Sequence, residues 1–248
     1  MFDLGFRDRV MNRVLELAQG DRRIVAGAVV GSLALTDGDR FSDLDLTFAV
    51  ADAADLAAVL DDWADILRRE YRADTLFDVV SGASIYRVFL LPGALQVDLS
   101  VTPATSFGPR AATFRLLFGA DGVAAVPKQP RGCPEIAGYA AHHALRARVS
   151  IERGRALQAG YWLSELRNEV LALTAARHGA ETFQARGAHL LPVGTVPAVS
   201  ATLVRSFEEP ELRRALRAGI ELLLAETVSV LPESVREQLI ALAADAAN

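Results

Sequence analysis

Two aspartates one residue apart, in Ser42-Asp43-Leu44-Asp45-Leu46, carry the clearest chemistry in this chain. On a strand, alternate side chains share a face, so Asp43 and Asp45 are expected on one side while Leu44 and Leu46 enter the core. Carboxylates held that close repel each other unless a cation sits between them. Mg²⁺ accepts one or two protein carboxylates and completes its shell with phosphate oxygens and water, so Mg²⁺ carrying a polyphosphate is the expected occupant. Upstream, the apolar run Val29-Val30 ends on Gly31-Ser32. Gly31 lets the backbone approach a ligand and adopt a positive φ. If Ser32 opens a helical turn, the free N–H groups of that turn face an anion. The interval from Ser32 to Asp43 leaves room for a short helix and a return into the neighbouring strand. The plainer readings are the wet face of an edge strand for the aspartates, a tight turn for Gly31 and an N-cap for Ser32.

Gly31-Ser32 followed by Asp43-x-Asp45 on a strand resembles the signature of the nucleotidyltransferase superfamily related to DNA polymerase β. The resemblance implies a third carboxylate from a later strand. Asp98 is the fitting residue: Leu95, Val97, Leu99 and Val101 alternate with Gln96, Asp98 and Ser100, a half-buried strand pattern. It further implies that Asp43, Asp45 and Asp98 are the metal-holding and catalytic residues, with Gly31, Ser32 and Ser42 at the nucleotide. The cofactors would be two Mg²⁺ ions, with a nucleoside triphosphate as co-substrate. An acceptor hydroxyl would attack the α-phosphorus and pyrophosphate would leave, with AMP as the expected transferred group. Asp98 would accept the hydroxyl proton directly or through water.

The order of a catalytic domain and then helices resembles the small bacterial nucleotidyltransferases that modify aminoglycosides and lincosamides, in which a cleft between the two parts holds the acceptor. That implies a hydroxylated small-molecule acceptor and allows a homodimer. In some of these enzymes a helical-domain glutamate is the general base, a role Glu165 could fill. Tyr161, Glu165 and Asn168 share one helical face, against a solvated-face reading. Two alternatives stay open. One is the same chemistry on a protein or RNA partner, as in antitoxin-like nucleotidyltransferases. The other is a nucleotide-binding module without turnover.

Composition narrows the field. The chain has 248 residues, 51% hydrophobic, enough for one large domain or two small ones and against disorder. A net charge of −5 argues against a protein built to grip nucleic acid, which needs clustered Lys and Arg. Cys133 is the single cysteine, so no intrachain disulfide forms and a reducing cytoplasm is the expected location. No signal peptide and no apolar run of about 18 residues is visible, so no membrane association is expected.

The elements that must position these residues follow from periodicity. Residues 6–19 read as a helix with Phe6, Val10, Val14 and Leu17 on one stripe, and 53–71 as a second with Leu56, Val59, Leu60, Trp63 and Leu67. Strands are expected at 23–31, 43–50, 75–80, 84–91 and around Asp98, giving an α+β fold: a mixed sheet with helices on one side, then an all-α bundle of about five helices. The expected domains are 1–105, catalytic, and 134–248, helical. A Pro- and Gly-rich linker at 106–133 holds one helical piece near 110–118. Pro134, Pro210 and Pro232, each followed by Glu, mark helix starts. His142 and His143 diverge by about 100° on a helix, a poor metal pair. Arg146, Arg148, Arg153 and Arg155 could meet pyrophosphate or pair with Glu152.

Overall fold

The structure is a computed structural model that describes residues 1–35, 38–52, 55–110, 113–122, 130–227 and 229–246. The chain forms two compact units, Met1–Lys128 and Gln129–Asn248.

In the first unit, α1 (Leu4–Gly20) starts where the Asp3 carboxylate accepts the Phe6 N–H at 2.7 Å. It buries Val10, Val14 and Ala18, one stripe of the 3.6-residue period. The six strands are β1 (Ile24–Val30), β2 (Leu44–Val50), β3 (Asp74–Ser81), β4 (Ser84–Leu91), β5 (Leu95–Pro103) and β6 (Phe114–Phe118). They form one sheet in the order β3-β4-β5-β2-β1-β6. Among the described residues only the β2–β5 pairing is parallel, so the sheet is mixed. Helix α2 (Leu56–Tyr71) buries Leu56, Val59, Leu60, Trp63 and Leu67. These residues and the α1 stripe join Leu44, Leu46, Phe48 and Val50 of β2 and Leu95, Val97, Leu99 and Val101 of β5 in one core. Strand alternation therefore turns Asp45 and Thr47 of β2, and Asp98, Ser100 and Thr102 of β5, to the opposite face.

Residues 114–118 correct the expectation of a helical piece near 110–118. They form the edge strand β6, antiparallel to β1, with Val30 opposite Phe114. A five-residue segment with four apolar residues does not distinguish helix from strand by period. What decides it is the open edge of β1, where Gly27 has no Cβ to collide with Phe118. Residues 111–112 and 123–129 of the expected linker lie outside the described residues.

The second unit is helical: α3 (Cys133–Glu152), α4 (Ala156–Arg177), α5 (Thr195–Ala201), α6 (Glu209–Glu226) and α7 (Glu233–Asp245). Pro134 and Pro210 lie in first turns, and Pro232 is the residue before α7. Alanines 137, 140, 144 and 147 of α3 pack with Leu163, Leu166, Val170 and Leu173 of α4 and with Leu212, Leu216, Ile220 and Leu223 of α6. Gly219 of α6 leaves the space that Leu166 fills; a Cβ there would lie 2.7 Å from its Cδ2.

Candidate functional site

The parallel β2–β5 ladder sets the site. Its register puts Asp45 directly beside Asp98, and Leu44, Leu46 and Leu99 hold both strands from the core side. Neighbouring strands are about 4.8 Å apart, so two carboxylates on one face at one register position are immediate neighbours. Both residues are half-buried, as is Asp43, which sits one residue ahead of β2. The Asp98 carboxyl is held above the ordinary carboxylate range, chiefly by burial and further by the negative charge of Asp43. The Gln96 amide, donating to Asp98 Oδ1 at 3.0 Å, works in the other direction. Asp43, Asp45 and Asp98 thus lie in one electrostatic neighbourhood.

Gly31 belongs to this group. Its φ is +69°, and a Cβ on it would collide with Asp45 Oδ2. Glycine serves here twice, for the left-handed backbone and for the space beside a carboxylate. Residues Gly31–Ala34 form a single 3-10 turn whose N-cap is Val30, with no side-chain cap. Ser32 is therefore inside the turn and exposed, not its cap. Ser42 is buried and its hydroxyl is engaged locally: it accepts the Asp39 N–H at 2.9 Å and lies 3.2 Å from Asp39 Oδ1, to which it donates. Ser42 shapes the loop that delivers Asp43.

That loop has a second anchor the sequence reading did not single out. Arg7 of α1 is 8% exposed, and its Nη1 donates to the carbonyl oxygens of Asp39 at 2.9 Å and Ser42 at 3.0 Å. The signal was present in the sequence: Arg7 stands at the position that extends the Val10, Val14, Ala18 stripe by one turn. A guanidinium at a core position needs carbonyl or carboxylate acceptors.

The donor set around Asp45 is all oxygen, which suits Mg²⁺ over a softer metal. Among the described residues, no three His, Cys, Asp or Glu side chains converge into a ready-made metal cage. Mg²⁺ sites with phosphate substrates use one or two carboxylates, so the adjacent Asp45 and Asp98 meet that requirement. A cation there would also relieve the repulsion that raises the Asp98 carboxyl.

Glu165 and Tyr161 lie on α4 of the second unit. Tyr161 is 57% exposed, and its ring meets that of Trp162 edge-on at 5.0 Å. Glu165 is half-buried and close enough to His143 to influence it. His143 is buried against Trp162, with ring centroids 5.3 Å apart, and burial lowers its pKa. His142 is exposed, so the two histidines do part. Arg148 pairs with Glu152 at 2.8 Å, and Arg146 lies over the Trp162 ring. Glu169, which the sequence reading gave no role, accepts from Arg131 at 2.9 Å.

Among the described residues no helix is long and apolar enough to cross a membrane. No protein-family model matches the sequence, and no curated protein is similar to it. Solved structures similar to the chain include an aminoglycoside 6-adenyltransferase from Bacillus subtilis, at 16% identity and TM-score 0.42, over 95% of this chain and 96% of that one. A nucleotidyltransferase-like protein from Exiguobacterium sibiricum is similar at 13% identity and TM-score 0.39, over 95% and 78%. Terminal uridylyl transferase 4 from Trypanosoma brucei with bound dUTP is similar at 12% and 0.33, over 92% and 70%.

Proposed function

We propose that the first unit transfers a nucleoside monophosphate, AMP as the expected group, from a nucleoside triphosphate to a hydroxyl of a small-molecule acceptor in the cytoplasm. The observation that carries this reading is the register pairing of Asp45 with Asp98, beside a glycine whose absent side chain clears the Asp45 carboxylate. Structural carboxylates in a sheet are commonly answered by Arg or Lys. Here burial and the nearby charge of Asp43 raise the Asp98 carboxyl against the opposing Gln96 hydrogen bond, an environment that fits a functional carboxylate.

Asp43, Asp45 and Asp98 would hold Mg²⁺, which when bound neutralises charge on the phosphoryl oxygens. Asp98 is the proposed base, accepting the hydroxyl proton directly or through water. In the balanced step, the acceptor O–H gives its proton to Asp98 and its oxygen forms the bond to the α-phosphorus. The bond from that phosphorus to the bridging oxygen breaks, and pyrophosphate leaves with the electron pair. Gly31 and Ser32 are proposed to line the phosphate side with backbone. Arg7 and Ser42 act as positioning residues, fixing the loop from which Asp43 emerges.

The test is pyrophosphate release from each nucleoside triphosphate with Mg²⁺ and a panel of hydroxylated acceptors, with adduct masses read by mass spectrometry. Release that depends on acceptor and is lost in Asp45→Asn supports the reading. Release unchanged in Asp45→Asn overturns it.

A further inference from the structure

The face that carries Asp45 and Asp98 continues into a cavity of about 160 Å³ within the first unit. Thr47 follows Asp45 by two residues and Ser100 follows Asp98 by two, so each lies about 7 Å further along the same face. Beyond them Thr102 and Ser84, both buried, hydrogen-bond to each other through their hydroxyls. Arg110 Nη2 donates to Ser84 Oγ at 3.2 Å at that end, and Phe107 and Phe114 wall the space. The volume far exceeds the ~30 Å³ share of one water and suits one small ring.

The cavity has a chemical polarity. An arginine only donates, so Ser84 is an acceptor toward Arg110. Whichever of Ser84 and Thr102 donates to the other, one hydroxyl hydrogen of the pair is left over for a ligand. Among the described residues that line the cavity there is no Asp or Glu, and none pairs with Arg110. The far end is therefore rich in donors and positively charged. At the near end Thr47 and Ser100 line the cavity, each two residues along its strand from Asp45 and Asp98.

We propose that this cavity docks the acceptor, and that the docked acceptor is an anionic polyol: a carboxylate or phosphate at Arg110, Ser84 and Thr102, with hydroxyls directed past Ser100 and Thr47 toward Asp98. This rests on the transfer reading above and adds the substrate class. An ammonium-bearing ring meets like charge at Arg110 and has no carboxylate in the lining to receive it, so aminocyclitols are poor occupants of this cavity.

The test is calorimetric titration of the full chain, without any triphosphate, using D-glucuronate, glucose 6-phosphate, D-glucose and 2-deoxystreptamine. The expected result is that one or both acidic probes bind about tenfold or more tightly than 2-deoxystreptamine, the scale of a charge-assisted hydrogen bond. The two acidic arms separate a carboxylate ligand from a phosphate one. Arg110→Gln removes the preference, Arg110→Lys retains part of it, and Thr102→Val weakens both acidic probes. Arg110 is exposed, so its variants test binding without disturbing the core. Equal or tighter binding of 2-deoxystreptamine, an unchanged preference in Arg110→Gln, or no binding of either acidic probe at millimolar concentration overturns the proposal. Preferential acid binding with no pyrophosphate release from any triphosphate overturns the acceptor role and the transfer reading, while the cavity's ligand class stands.

Discussion

Asp45 on β2 and Asp98 on β5 are register partners across the one parallel strand pair of the sheet, and the missing side chain of Gly31 clears the space beside the Asp45 carboxylate. A parallel pair puts two strands side by side in the same direction, so their outward faces alternate in phase. One acidic residue on each strand then suffices to build a two-carboxylate site, provided the register is right.

Asp45→Asn keeps the shape of the side chain and removes its charge. Transfer is expected to fall by roughly 100-fold or more, the scale of losing a preorganised charge-stabilising group. The fold should be retained, since asparagine fills the same space. Pyrophosphate release and a melting curve on the same preparation check both halves.

Gly31→Ala meets two penalties at once: a φ of +69° that alanine disfavours and a Cβ that collides with the Asp45 carboxylate. A loss of about 1–3 kcal/mol in stability is expected, together with loss of transfer. Gly82→Ala, at φ +60° but in open space, is the control and should leave transfer unchanged. Denaturant midpoints and turnover of the two variants make the comparison.

Arg7→Ala leaves the Asp39 and Ser42 carbonyls without their guanidinium donor. A cost of about 1–3 kcal/mol is expected for the unsatisfied buried groups. Because the loop delivers Asp43, the Mg²⁺ concentration needed for half-maximal transfer should rise. Arg13→Ala, which removes an ion pair to Glu70, should cost no more than about 1 kcal/mol and leave the Mg²⁺ requirement unchanged. A Mg²⁺ titration of turnover separates the two.

His143 supplies a pH dependence for the helical unit. Burial against Trp162 lowers its pKa from the ordinary histidine value of 6.5, with Glu169 and Glu165 opposing that shift and His142 adding to it. The folded state thus binds fewer protons than the unfolded one, so its contribution is present above pH 6.5 and is lost as pH falls from there through the lowered value. His143→Phe should flatten the decline in stability over that acidic window. Urea midpoints at a series of pH values from neutral downward measure the slope.

The apolar stripes were readable because they obey a fixed period: Val10 and Val14 on α1, and Val59, Leu60, Trp63 and Leu67 on α2, are buried where the spacing puts them. Five of the six strands were legible too, β2 and β5 by alternation, although β3 is exposed at every position and shows no buried period. The sixth, Phe114–Phe118, was not, since a short apolar run takes its conformation from the partner edge it finds. The plainer reading of Ser32 as an N-cap does not hold, because the turn starts at Gly31 with Val30 as its cap and Ser32 lies inside it.

The candidate site divides the same way. Residue type and spacing alone nominated Gly31, Asp43, Asp45 and Asp98, since alternation along a strand fixes which side chains share a face. Nothing local pairs position 45 with position 98, buries Arg7 beneath the loop that carries Asp43, or brings Ser84, Thr102 and Arg110 together around one cavity. Those relationships join residues from 18 to 53 positions apart, and they exist only because strand register and core packing, set by the whole sheet, bring distant backbone together.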